Sequence, residues 1–283
     1  GVAFWQREAY GLLLDGNHRA EVMVSLAYER HGEGPELVLL HGVGHRRQAW
    51  NAVLPLLAPR RTVITVDLPG HGESPALKTA GQPVIEAIGA EILRLLDELG
   101  LDKPHIAGNS LGGALALGAG ARGRGASVTG LSPAGFWAAP WQFPYAKAVF
   151  KTMQAAGANA GPYVPRLAHS AAGRAILNAA IVARPSKVSP EQAEGDAKSF
   201  FRAKDAVDEI IASPVSFDEP VPDDVKVTIA WGAKDRLLPR SQARVAKRHL
   251  PNARFVLLPG CGHVPMTDDP ELVAKVLLQG SGG

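Results

Sequence analysis

Two rhythms of apolar residues alternate along this chain. Short, nearly continuous apolar runs at 37–40, 62–66, 104–107, 127–131, 225–231 and 253–258 predict strands covered on both faces. A strictly alternating stretch at 22–28 predicts a half-exposed strand before them. Between the runs the period lengthens. Ile85, Ile88, Ile92, Leu95, Leu96 and Leu99 fall on one face of a helix that Gly100 ends, and 47–57, 111–117 and 241–249 predict further helices. Asp269-Pro270-Glu271 reads as the cap and first turn of a terminal helix that ends near Gln279, which makes Asp268 and Asp269 structural. Strand and helix in alternation imply a mostly parallel central sheet flanked by helices, an α/β fold whose ligands sit at the carboxyl ends of the strands.

The rhythm breaks between Trp137 and Phe217. No strand is expected there; 144–155, 171–183 and 190–203 read as short helices broken by Gly and Pro, with Trp137, Trp141, Phe143, Tyr145, Phe150 and Tyr163 early on. Because sheet-type sequence resumes afterwards, the expectation is a core at 1–136 and 218–283 with an inserted helical cap at 137–217, its inner face apolar and aromatic.

Composition narrows the class only a little. At 283 residues the chain can bury a large core, and 46% hydrophobic with 20% charged residues is ordinary for a globular enzyme. The net charge of +3 is small and the basic residues are dispersed, so nucleic acid is not an expected partner. One cysteine, Cys261, excludes an intrachain disulfide, and it reads as a small buried hydrophobe. Gly1 to Glu8 lacks the features of a secretory leader, and no apolar stretch suits a membrane span, so the expectation is a cytoplasmic protein of undetermined oligomeric state.

The chemistry gathers in the loops that follow strands. Gly108-Asn109-Ser110-Leu111-Gly112 fits Gly-x-Ser-x-Gly at a strand-to-helix turn, where crowding demands small residues and an exposed hydroxyl is a candidate nucleophile. Alone, the pattern also fits a helix cap. His41-Gly42-Val43-Gly44 ends an earlier strand, and its backbone N–H groups, Val43 first and Gly44 second, are candidate oxyanion donors. Asp235 after the 225–231 strand is the candidate acid, and His263 after the last strand is the candidate base. Asp67, which precedes the serine, is assigned to loop hydrogen bonding, and His41, His71 and His105 to structure. His45 beside Arg46 and Arg47 lies either at a cleft mouth that favours anions or on solvated surface.

Taken together, the glycine loop at 41–44, the segment 66–74, the serine turn, Trp231-Gly232-Ala233-Lys234-Asp235 and Gly260-Cys261-Gly262-His263 resemble the landmarks of the α/β-hydrolase superfamily. The resemblance covers nearly everything but the cap. It implies the α/β-hydrolase fold, a Ser110-His263-Asp235 triad, and an oxyanion hole from the N–H groups of Val43 and Leu111, with the dipole of the helix behind Ser110 assisting. Relatives that place the acid after the strand following the serine would need a carboxylate within 130–135, where there is none. The activity so implied is hydrolysis of a carboxylic ester or related carbonyl compound with an apolar acyl or aromatic small-molecule substrate, through an acyl-enzyme and without metal or cofactor. The Gly108-Asn109-Ser110 turn also resembles carbon–carbon bond hydrolases of dienoate ring-cleavage products, which often carry tryptophan where Val264 stands. Cofactor-free haloperoxidases or perhydrolases share the triad, and a small-molecule receptor on the same fold is the non-enzyme alternative.

Overall fold

The apolar runs pair side by side. A computed structural model of the protein describes residues 26–283 and contains seven strands: β1 Tyr28–His31, β2 Glu36–Leu40, β3 Thr62–Val66, β4 His105–Asn109, β5 Ser127–Leu131, β6 Lys226–Gly232 and β7 Arg254–Leu258. They form one sheet in the order β1-β3-β2-β4-β5-β6-β7. Only β1 runs antiparallel to its neighbour; every other pairing is parallel. β4, which leads to Ser110, lies in the middle. Its register sets Leu40 beside Gly108 and Asn109 beside Leu131, so the loops after β2, β4 and β5 leave the sheet at one level.

Strand residues divide between two cores. Val38, Leu40, Ile64, Val66, Ile106 and Ile229 pack on one face with the helices Val84–Glu98 and Leu111–Ala121, while Leu37, Leu39, Val63, Ala107 and Leu258 pack on the other with Trp50, Leu57 and the terminal helix Pro270–Gly280. Successive side chains on a strand point to opposite faces, so a continuous apolar run is what a sheet covered twice requires. The layered arrangement is that of the α/β-hydrolase fold, as the sequence resemblance implied.

Boundaries match the apolar pattern at β3, β5 and the helix Ser241–His249. The start of the chain departs from it. The strand expected at 22–28 is observed at Tyr28–His31, and 22–25 lie outside the described residues. The helix expected over 47–57 is also corrected. It is a 3-10 turn, Arg47–Trp50, followed after a gap by one short turn, Leu54–Leu57, and Pro55 has no N–H for the bond back to residue 51 that a continuous helix needs.

Between β5 and β6 the described residues hold helices and no strand. Gln142–Ala160, Ala171–Asn178 and Pro190–Arg202 correspond to the expected pieces, and Lys204–Ile210 is a further helix. The ends of this segment are tied together: Phe217 N–H donates to Gly135 O at 3.1 Å, and the Trp137 indole donates to Val215 O at 2.6 Å. Among the described residues no helix is long and apolar enough to cross a membrane.

One buried ion pair fixes the edge where the loops emerge. Asp67 is fully buried, accepts the backbone N–H groups of Arg47 and Glu73, and pairs with the Arg47 guanidinium, which also reaches Glu29 and Glu73. Arg47→Met would strand that carboxylate without its cation, and is expected to cost roughly 3 kcal/mol of folding stability, read as a lower urea midpoint at unchanged slope.

Candidate active site

Ser110 sits between β4 and the helix Leu111–Ala121 with φ 56 and ψ −115, a strained conformation for a residue with a side chain. Neighbouring bonds hold it there. Its N–H donates to Leu131 O at 3.0 Å, and its carbonyl accepts from Ala134 and Ala114. A Cβ on Gly108 would overlap the Gly112 carbonyl, and one on Gly112 would overlap Leu40 O, so the motif glycines are required by backbone packed against backbone.

The expected acid and base meet. His263 Nδ1 bonds Asp235 Oδ2 at 2.8 Å, and both side chains are buried. The other carboxylate oxygen accepts the N–H groups of Leu237 and Leu238 at 2.9 and 2.8 Å, which fixes the carboxylate plane. With Nδ1 committed to Asp235, Nε2 is the ring atom left for a reacting group. Ser110 and His263 line one cavity of about 150 Å³, without a hydrogen bond between them in this conformation.

Asn109 makes a connection that motif reading passed over. Its Nδ2 donates to Leu131 O at 3.0 Å and to His263 O at 2.8 Å, so the residue before the serine holds the backbone of the histidine. The signal was a polar residue at the end of a buried strand. Asp268 holds the same loop from the other side, accepting from Gly262 N–H at 2.7 Å and from the N–H groups of Ala183 and Arg184. Asp269 caps the terminal helix through Leu272 N–H, so both aspartates are structural as expected.

The loop after β2 decides between the two oxyanion candidates. Gly44 N–H donates to His71 Nε2 at 3.0 Å and is not available, whereas the N–H groups of Val43 and Leu111 have no partner among the described residues. His71 donates through Nδ1 to Pro69 O, and His41 donates through Nδ1 to Gly42 O while its Nε2 accepts from Leu68 N–H. Burial pushes both histidines below the ordinary imidazole range, so they are neutral posts with fixed tautomers. His105 pairs with Ser127 on the sheet. Asp67 is the loop anchor it was expected to be.

Arg46, Arg47 and the early aromatics find their places here. Arg46 and Arg47 do not offer charge to an anionic substrate: Arg46 pairs with Asp196 at 3.1 Å, and Arg47 is buried in its carboxylate cluster. Burial opposes the Arg47 charge, yet Asp67, Glu73 and Glu29 hold it protonated beyond the ordinary guanidinium value. The early aromatics also divide. Phe150 lines the cavity, but Trp141, Tyr145 and Tyr163 are exposed, and Met153, Phe200 and Phe201 are among the other residues of its wall. Phe200-Phe201 were visible in the sequence as the aromatics of the helix Pro190–Arg202, but which way that helix faces was not. Among the described residues no cluster of His, Cys, Asp and Glu could hold a metal ion.

Three comparisons bear on this geometry. Residues 37–276 match the model of the alpha/beta hydrolase family. The chain is 31% identical over 265 residues to the dihydrolipoyllysine-residue acetyltransferase component of the acetoin cleaving system from Pseudomonas putida, covering 89% of this chain and 65% of that protein's length. It is 41% identical over 93 residues to the pimeloyl-[acyl-carrier protein] methyl ester esterase of Aeromonas hydrophila, covering 33% of this chain and 35% of that one. Among solved structures, the enol-lactonase from Burkholderia xenovorans superposes with a TM-score of 0.71 at 21% identity, over 91% of this chain and 96% of that one.

Cys261, two residues before His263, is buried, and burial pushes its thiol up to about 12. At pH 8 only about one thiol in ten thousand would then be ionised. Iodoacetamide is expected to leave the folded protein unlabelled at that pH and to label it at one site in denaturant, read by intact mass.

Proposed function

The chain belongs to the α/β-hydrolase family, and from that premise we propose that it is a serine hydrolase cleaving a carboxylic ester or related carbonyl compound through an acyl-enzyme. Ser110 attacks, His263 takes and returns the proton, and Asp235 orients the ring and stabilises its charged form. The observation that carries the reading is the 2.8 Å bond from His263 Nδ1 to Asp235, made in the wall of the cavity that Ser110 also lines.

In the first half-reaction the Ser110 hydroxyl adds to the substrate carbonyl as its proton passes to His263 Nε2. The oxygen that becomes negative sits between the N–H groups of Val43 and Leu111, at the N-terminus of the helix Leu111–Ala121, where preorganised donors act most strongly. His263 then protonates the leaving oxygen, the bond from carbonyl carbon to that oxygen breaks, and the acyl group stays on Ser110. Water added by the same base completes the cycle and restores the hydroxyl.

The substrate in this reading is a small molecule with an apolar acyl or aromatic part, suited to walls of Phe150, Met153, Phe200 and Phe201. Residues 137–217 act as its lid. The similarity of 93 residues to a methyl ester esterase is in keeping with an ester substrate. A single buried, unpaired cysteine suits the cytoplasm, where the reading places the protein.

Wild type is expected to turn over short-chain p-nitrophenyl esters, and Ser110→Ala to lose this by about 10⁴-fold or more; equal rates would remove Ser110 from the chemistry. Asp235→Asn should leave KM close to wild type while kcat falls roughly 10³- to 10⁴-fold, because the ring loses its tautomer and its counter-charge. Run beside these esters, a dienoate substrate that is cleaved faster than every ester would replace the ester assignment with carbon–carbon cleavage.

A further inference from the structure

Two chambers meet at Ser110. The larger, about 150 Å³, has His45, His263, Met153 and Phe200 in its wall, and the smaller, about 50 Å³, has Leu111, Ala134, Trp137, Phe143 and Ala146. Val43, Ser110, Phe150 and Leu237 border both. His263 lines the larger chamber and not the smaller. Because the base must hand its proton to the departing oxygen, the leaving group of an ester lies on the His263 side, and the acyl group enters the smaller chamber beside Leu111.

The leaving-group chamber is mostly apolar, and within it His45 is anomalous. The residue is only 9% exposed, and its Nδ1 is buried with no hydrogen-bond partner among the described residues. Its backbone is held at both ends: the N–H donates to Gly42 O, and the carbonyl accepts from the Ser199 hydroxyl at 3.4 Å. Nδ1 is sealed from the cavity as well as from water and costs least as a bare acceptor, which puts the ring proton on Nε2, the ring nitrogen of this cavity-lining residue that is neither sealed nor bonded. The ring carries no charge near neutrality, since burial lowers its pKa and the nearby Asp196 carboxylate, which would raise it, is already paired with Arg46. A charged ligand group would gain no ionic partner here and would lose its hydration.

We propose that His45 is a specificity-determining residue, giving a hydrogen bond to an uncharged polar function on the leaving group, such as a hydroxyl. The inference rests on the serine hydrolase reading above. It names the substrate class as esters of a compact apolar acid with a larger alcohol that carries such a function.

The test compares kcat/KM for pentyl acetate and for the monoacetate of pentane-1,5-diol. Wild type is expected to favour the hydroxylated ester about tenfold, one satisfied hydrogen bond. In His45→Phe that ratio should fall to about one, and His45→Gln, which keeps a hydrogen-bonding side chain, should restore part of it. The thermal midpoint of His45→Phe should be no lower than wild type; if that variant does not fold, His45→Leu serves the same comparison. A flat wild-type ratio, or rates for both esters that fall together with the ratio intact, would overturn the role of His45. Labelling of Ser110 by a fluorescent phosphonate separates the two levels: label and turnover with a flat ratio sink this inference alone, whereas no label and no turnover sink the hydrolase reading with it.

Discussion

Crowding of backbone against backbone at Ser110 governs the rest of the structure. The central strand β4 turns into its helix with the serine at φ 56, a conformation that persists only where the surroundings over-determine it. They do so from several directions. β5 takes the Ser110 N–H through Leu131 O, the segment after β5 returns a bond from Ala134, and Gly112 leaves space for the end of β2. The turn therefore exists because the sheet is assembled around it, and a serine in the same five residues elsewhere would relax to an ordinary cap. The same crowding leaves Leu111 at the start of a helix with its N–H unspent.

A second consequence is that positions across the edge are coupled rather than set one by one. Asn109 joins β4 to the backbone of His263, and Asp268 joins the histidine loop to 183–184. On the other side His41, His71, Asp67 and Arg47 lock the loop after β2 to the loop after β3, and this lock consumes the Gly44 N–H while leaving Val43 free. Neutral imidazoles suit this task. Each offers one donor and one acceptor in a fixed tautomer, so each joins two backbone groups across the loops.

How much of this was legible depends on the range of the interaction. Strands covered on both faces write a continuous apolar run, so β3 and β5 were placed to the residue, and loops at their carboxyl ends followed from parallel topology. Asp235 and His263 were legible as polar residues just beyond such strands. Helix 47–57 was misread because Pro55, which cannot donate back to residue 51, falls inside the apolar period. Whether Arg46 and Arg47 were cleft charges or solvated surface was not legible, because their partners, Asp196 on one side and Asp67, Glu73 and Glu29 on the other, are set by tertiary structure. Helices between β5 and β6 were found from local pattern, but which aromatics turn inward depends on how helices pack, and periodicity in short, Gly-broken segments does not encode it.

The attachments of that helical segment differ in strength, and the difference falls along the cavity. Beside His263 it is held by a buried carboxylate that takes the N–H groups of Ala183 and Arg184 while also binding Gly262, and by Val264 N–H donating to Ile181 O at 3.0 Å. Across the cavity, near His45, the polar contacts are the partly exposed Arg46–Asp196 pair and the 3.4 Å bond from Ser199, beside apolar packing of Phe200 against Val43. A buried carboxylate meeting several N–H donors resists separation more than one ion pair that water reaches. The polar attachments are therefore stronger on the His263 side than on the His45 side.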